Sequence, residues 1–198
     1  MFLRDYSYLE QYASHVPAKL STTSFALLGL LVFDRETAEG GMTGYEVKQR
    51  ADRTLRFYWV SPAMSQIYTE LERLDRHGYV ASTEVEDGKR TTRRFAITDA
   101  GRKALENWLR TPSSEFPVLK HPIALRLMLG SLMGPGEVRA MLGDYLEQLA
   151  ERRGELEAVR EMLADRHEVR FPARVADWGL AYYDSEAEIV ERLRKDLD

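Results

Sequence analysis

The stretch "YVASTEVEDGKRTTRRFAIT" at 79–98 constrains the fold more than any other part of the chain. Two runs rich in β-branched and aromatic residues flank an Asp-Gly step, the pair that suits the backbone of a tight hairpin turn. A two-stranded hairpin is therefore predicted, and helical segments surround it. Residues 22–33 are an apolar helix, "ETAEGG" breaks it, and "MTGYEVKQRADRT" starts a second helix with Thr43 as its cap. A third helix starts at Ser61 as cap and Pro62 as first residue, buries Met64, Ile67, Leu71 and Leu74, and stops at Gly78. After the hairpin, Thr98 caps "DAGRKALENWLR", whose buried side is Ala104, Leu105, Trp108 and Leu109, and "TPSSEFP" at 111–117 is a linker. The order over 21–111 is α-α-α-β-β-α.

Residues 112–198 read differently. Ile123, Leu127 and Met128 indicate a short apolar helix, and "MGPGE" resets the chain. Val138, Leu142, Tyr145, Leu149, Leu156, Val159 and Leu163 then keep a heptad rhythm, broken by Arg152, over roughly 40 Å of helix. Beyond "RHEVRFP" a second long helix, from about Ala173 to Leu197, carries Val175, Trp178, Tyr182, Ile189, Leu193 and Leu197. Narrow stripes of this length predict a helical hairpin or coiled coil. We assign a homodimer interface to Leu142, Tyr145, Leu149, Leu156, Val159, Leu163, Trp178, Tyr182, Ile189 and Leu193, with Arg152 setting register through a carboxylate across it. Residues 1–20, with Phe2, Tyr6, Tyr8, Leu9 and Tyr12, form an aromatic extension, a short helix ending before Pro17 that clamps the same dimer. The fold class is mainly α with a small β-hairpin: an N-terminal winged helix-turn-helix followed by a C-terminal long-helix dimerisation domain.

With 44% hydrophobic and 30% charged residues the chain is a globular one. The absence of cysteine removes disulfides, thiolate metal sites and cysteine nucleophiles together. The longest apolar stretch, "FALLGLLVF", is too short to span a bilayer, and the N-terminus lacks a basic start and an apolar signal core, so a cytoplasmic location is expected. His15, His77, His121 and His167 are scattered, and no phosphate-cradling glycine loop occurs, so neither an enzyme nor a cofactor or metal is expected. The net charge of −4 divides unevenly: 14 basic and 13 acidic residues in 21–111 against 12 and 17 in 112–198. Nucleic-acid affinity depends on local Lys and Arg, so the acidic total does not exclude it.

Three helices followed by a hairpin is the winged helix-turn-helix layout, in which the third helix enters the major groove of double-stranded DNA. The exposed strip of that helix holds Pro62, Gln66, Thr69, Arg73 and Arg76. Gln66 suits adenine, Thr69 a thymine methyl, and Arg73 or Arg76 guanine or phosphate. Ser61 stands at the helix start, where partial positive charge favours a phosphate. Lys89, Arg90, Arg93 and Arg94 form a basic wing tip. The rival reading is a winged helix used as a protein-interaction module without DNA binding.

"LLGLL", "TGYEVKQ", "FYWVSPAMSQIYTELERLDRHGYV" and "RFAITDAGRKALENWL" together resemble the PadR family of transcriptional regulators, in its AphA-like branch with a long C-terminal helical domain. The resemblance covers about 24–198. It implies DNA-facing roles for Ser65, Gln66 and Tyr68 on the recognition helix, with Tyr45 and Lys48 on the helix before it, and homodimers whose C-terminal helices embrace the partner. The expected regulator, a repressor, binds an inverted-repeat operator. Trp108, Trp178 and Tyr182 are the candidate pocket for a small aromatic effector, since thiol and histidine clusters that sense redox state or metal are absent.

Overall fold

The computed structural model describes residues 20–32, 40–57, 59–87, 90–112, 120–164 and 167–197. Their elements are α1 (Thr22–Val32), β1 (Met42–Thr43), α2 (Gly44–Thr54), α3 (Met64–Arg76), β2 (Val80–Asp87), β3 (Arg90–Ile97), α4 (Asp99–Arg110), α5 (Pro122–Met128), α6 (Pro135–Met162) and α7 (Arg170–Lys195). The helix expected within 1–20, most of the linker at 111–117, and Lys89 lie outside the described residues. The chain divides into two compact units, one formed up to Asp52 and by Ser61–Pro112, the other by Arg53–Val60 and the chain from Ser113.

In the first unit, β2 and β3 pair antiparallel from Val80↔Ile97 to Asp87↔Arg90. A third strand, not anticipated, lies on the other side of β3 through Met42↔Phe95 and Thr43↔Arg94. Two residues carry too little pattern to be read as a strand. Thr43 both ends β1 and caps α2: its hydroxyl accepts from Glu46 N–H at 3.1 Å, and Glu46 accepts from Thr43 N–H at 2.7 Å. Leu27, Leu28, Val47, Ile67, Leu71, Leu74 and Phe95 fill the core.

Three expectations about this unit are corrected. Helix α3 begins at Met64, and its N-terminal N–H groups receive help from Gln66, whose side-chain oxygen accepts from Ala63 N–H at 3.0 Å. Ser61 is instead tied to α2, donating to Asp52 at 2.6 Å and accepting from Lys48 at 3.1 Å, and Pro62 is buried rather than on the exposed strip. On α4, Leu105 is buried, whereas Trp108 and Leu109 are 41% and 67% exposed. Trp108 stacks on Phe25 of α1, with ring centroids 4.7 Å apart. Gly78, with φ of 72°, follows the end of α3 as expected.

In the second unit, α6 and α7 run antiparallel, with Arg153 beside Asp184 and Arg160 beside Asp177. Helix α6 buries Val138, Leu142, Leu149 and Leu156, and α7 buries Ala173, Ala176, Gly179 and Val190. The approach is close: a Cβ on Gly179 would stand 2.6 Å from Leu156 Cδ2. Leu142, Leu149 and Leu156, expected at a dimer interface, are therefore covered within one chain, because α7 occupies their stripe. Val159 lies against the Leu156 cluster and Tyr145 against the Leu142 cluster, while Leu163 is half-buried. Arg152 is exposed and reaches Glu155 of its own helix at 3.5 Å. The predicted stripe of α7 points the other way, with Trp178, Tyr182, Ile189 and Leu193 38–74% exposed. Helix α7 also starts earlier than expected, after a 3-10 turn at His167–Val169.

Two polar pins complete this unit. His121 Nδ1 accepts from Ala124 N–H at 3.0 Å, capping α5, and its Nε2 meets Glu186 of α7 at 2.7 Å. Burial, with the Glu186 carboxylate beside it, pushes the Tyr145 hydroxyl up. Phe57 is buried with Leu156 and Ala176, its carbonyl accepting from Tyr183 at 3.1 Å. Replacing Gly179 by Leu forces a branched side chain into the α6–α7 seam. This variant is expected to lower stability by at least about 1–3 kcal/mol, read from the urea-unfolding midpoint, whereas Gly154→Ala, at an open position, leaves the midpoint unchanged or raises it.

Candidate nucleic-acid interface

Helix α3 owes its orientation to Ile67, Leu71 and Leu74, each with no exposed surface. The turn after it returns the chain directly into β2, and one flank of the helix remains in solvent. On that flank Ser65, Gln66, Thr69, Glu72 and Arg76 are exposed, and Tyr68 is 42% exposed.

The polar residues divide by their partners. Thr69 Oγ1 donates to Ser65 O at 2.9 Å, which satisfies the hydroxyl within the helix and leaves the methyl as the outward group. Gln66 uses its side-chain oxygen on Ala63 N–H, so its NH2 is the group oriented by the helix start. Tyr68 lies over Gly44, where a Cβ would stand 2.5 Å from its ring, so glycine at the start of α2 seats this tyrosine. Next to it in sequence, Tyr45 is 57% exposed and accepts from Gln49 Nε2 at 2.9 Å, which directs its own proton elsewhere. Arg76 is exposed, and among the described residues no carboxylate lies within ion-pair distance of it.

Other candidate residues are held inside the unit. Arg73 is removed from the exposed strip: its guanidinium forms a two-pronged contact with Glu70, at 3.0 and 2.7 Å, and donates to the fully buried Ser24 at 2.7 Å. Ser24 also donates to the same carboxylate. Burial alone would raise the Glu70 carboxyl, but the hydrogen bonds from Arg73 and Ser24 outweigh it and hold the group below its ordinary value. The same Glu70 bond, against the desolvation of the guanidinium, holds Arg73 protonated. Lys48 is engaged by Asp52 and Ser61, so it fastens the start of the α3 loop to α2.

The wing is likewise secured at its root. Arg93 stands opposite Glu84, away from the turn, and donates to Asp75 at 2.7 Å and to Ser82 at 2.9 Å. Asp75 also takes the Ser82 N–H and hydroxyl, so one carboxylate joins the end of α3 to both wing strands. Arg94 is buried and donates twice to Gly41 O, at 3.0 and 2.8 Å, holding the chain ahead of β1. The backbone of Arg90 is in register with that of Asp87 in the ladder. Among the effector candidates, Trp108 stacks within the first unit, while Trp178 and Tyr182 belong to the second. No helix among the described residues is long and apolar enough to cross a membrane, and no cluster of three metal-ligating side chains occurs among them.

Two family models match the chain: the transcriptional regulator PadR-like family over 36–107, and the virulence activator alpha C-terminal family over 119–198. The negative transcriptional regulator PadR of Bacillus subtilis is 26% identical over 140 residues, 70% of this chain and 73% of that protein. A probable transcriptional regulator of Mycobacterium tuberculosis is 32% identical over 77 residues, 38% of this chain and 40% of that one. Among solved structures, Bacillus subtilis PadR in complex with operator DNA superposes with a TM-score of 0.77 at 22% identity, covering 90% of this chain and 100% of that one. The Vibrio cholerae virulence activator AphA gives 0.64 at 18%, covering 88% and 96%. At these identities the structural likeness concerns the fold.

Replacing Arg73 by Ala leaves the Glu70 carboxylate and Ser24 without their shared donor. A loss of stability of about 1–3 kcal/mol is expected at neutral pH, with no change in discrimination between DNA sequences. The Glu70 carboxyl lies lower in the folded state, so its contribution is present above the ordinary value of 4.5 and disappears as pH falls through the folded value. Glu70→Gln should accordingly be less stable than the parent at pH 7, and the gap between their thermal midpoints should close on acidification. A gap that stays constant with pH would contradict the assignment.

Proposed function

The chain belongs to the PadR-like family of transcriptional regulators, DNA-binding proteins and not enzymes, and on that premise we propose that it is a repressor acting as a homodimer on an inverted-repeat operator in the cytoplasm. The observation that carries the reading is the outer flank of α3, where Ser65, Gln66, Thr69 and Arg76 stand exposed on a helix packed by its whole inner face and followed by a wing. Arg76 takes the guanine or phosphate contact in place of Arg73. Thr69 offers its methyl to thymine, and Gln66 offers its NH2 to a base acceptor. Tyr45 and Tyr68 reach phosphate oxygens, and Lys89 and Arg90 neutralise the flanking backbone. Repression follows the relative named a negative regulator, whose likeness spans most of this chain.

The second copy covers the apolar face that one chain leaves open. Trp178, Tyr182, Ile189 and Leu193 line the outer side of α7 and are 74%, 45%, 45% and 38% exposed, and Leu125, Met128, Leu129 and Leu132 extend the apolar surface around α5. Contiguous apolar surface of this kind marks an interface. The effector is an aromatic acid, the class to which p-coumaric acid belongs, a compound found with Bacillus subtilis PadR. The exposed Trp178 and Tyr182 of the second unit supply aromatic surface for it and Trp178 reports its binding by fluorescence, whereas Trp108 belongs to the first unit, where it stacks on Phe25. An effector can release DNA only by the difference in its affinity for the two states of the dimer.

Gln66→Ala, Thr69→Ala and Arg76→Ala are each expected to cost on the order of 1–3 kcal/mol on cognate DNA and much less on random duplex, whereas Arg90→Ala weakens both alike and flattens the salt dependence. Competition binding across a salt series checks this. Equal losses on both duplexes for all three α3 variants would overturn base reading and leave backbone contact alone, whereas a parent with no salt-sensitive affinity for either duplex would be a protein-interaction module. A double change of Trp178 and Ile189 to Glu should give a folded monomer by sedimentation at concentrations where the parent is a dimer, and a dimer of unchanged affinity would remove the α7 face from the interface.

A further inference from the structure

The second unit holds a concave pocket of about 370 Å³ where α6 ends and α7 begins, lined by Arg160, His167, Arg170, Arg174 and Asp177 among others. Its charge is unbalanced. Among the described lining residues Asp177 is the one carboxylate; it accepts from Arg160 and lies 3.9 Å from Arg174. Arg170 has no carboxylate within ion-pair distance among the described residues. Its guanidinium donates to His167 Nε2 at 3.3 Å and lies over the Phe171 ring, 4.7 Å from the centroid, contacts that orient the charge without neutralising it. The 26-residue helix α7 starts in this wall, with no side-chain cap and no acidic residue in its first turn, so its partial positive charge has the same sign.

We propose that this pocket binds the phosphoryl group of a small anionic molecule. Among the described lining residues three guanidinium groups face one carboxylate, so two positive charges are left over, which a dianion balances and a monocarboxylate does not. Tetrahedral phosphoryl oxygens can accept from several guanidinium planes at once, and the volume admits a group of metabolite size. The incoming anion takes Arg170 and Arg174 first, because both are exposed at the rim, and competes with Asp177 for Arg160. The site lies wholly within the helical unit and stands independently of how α3 reads DNA.

Titrating the full-length protein with sodium pyrophosphate at constant ionic strength, by calorimetry and by hydrogen exchange, tests the assignment. Saturable binding with protection confined to about 160–177 is expected. Arg170→Gln with Arg174→Gln should weaken it at least tenfold, and Asp177→Asn should strengthen it severalfold because the internal competitor is gone. Both variants alter exposed or half-exposed groups, and unchanged circular dichroism and thermal midpoints establish that they fold. Operator affinity of the double Gln variant should stay within twofold of the parent. Binding that fails to saturate, or that persists at parental affinity in the double variant, overturns the site. Loss of random-duplex affinity in that variant without any pyrophosphate binding would assign the arginines to the DNA backbone instead.

Discussion

The complete burial of Ile67, Leu71 and Leu74 governs the first unit, because a helix fixed along its whole inner face has only one flank left to offer a ligand. Each fully buried side chain of this size contributes about 1.5–3 kcal/mol relative to exposure, enough in sum to hold the rotation of α3 against the pull of any surface contact. The polar groups at the edges of the buried face then reinforce that rotation. Arg73, Glu70 and Ser24 lock one edge to α1, and Asp75 with Ser82 and Arg93 locks the other to the wing. What stays outward is a short strip that holds Ser65, Gln66, the Thr69 methyl and Arg76, with the carboxylate of Glu72 beside them.

The helical unit solves its problem with unequal partners. Leucines of α6 meet alanines and a glycine of α7, so the helices approach closely on the side where α7 is small. Trp178, Tyr182 and Ile189 consequently lie on the opposite side of α7, so a chain whose two long helices already pair with each other still leaves these large apolar side chains exposed. The polar pins at His121 and Phe57 bring α5 and residues 53–60 onto the same pair of helices.

Much of this was legible in the sequence. The period of α3, the Asp-Gly turn, the Thr98 cap and the long heptad stripe are local signals, and they specified the winged helix and the long-helix region. The partners of the charged residues were not legible. Arg73 and Arg76 lie three residues apart with the same side chain, and it is the Glu70 carboxylate, itself held by Ser24 far away in sequence, that draws Arg73 inward. Arg93 is likewise taken by Asp75, 18 residues away, whereas Lys48 pairs with Asp52 one turn along its own helix. The inner seam of α7 escaped because alanine and glycine give no apolar stripe, so the large residues drew the reading to the opposite face. Strand β1 is only two residues long and takes its identity from β3.

The central claim is that two copies of this chain present two α3 flanks to the same face of a duplex. Selection of bound sequences from a randomised duplex pool measures it most directly. The account predicts enrichment of an inverted repeat whose half-site centres lie about one helical turn, roughly 34–36 Å, or a whole multiple of it apart, with base preference confined to the major groove of each half-site. Enrichment of a single unrepeated site, or no enrichment over the starting pool, would contradict it.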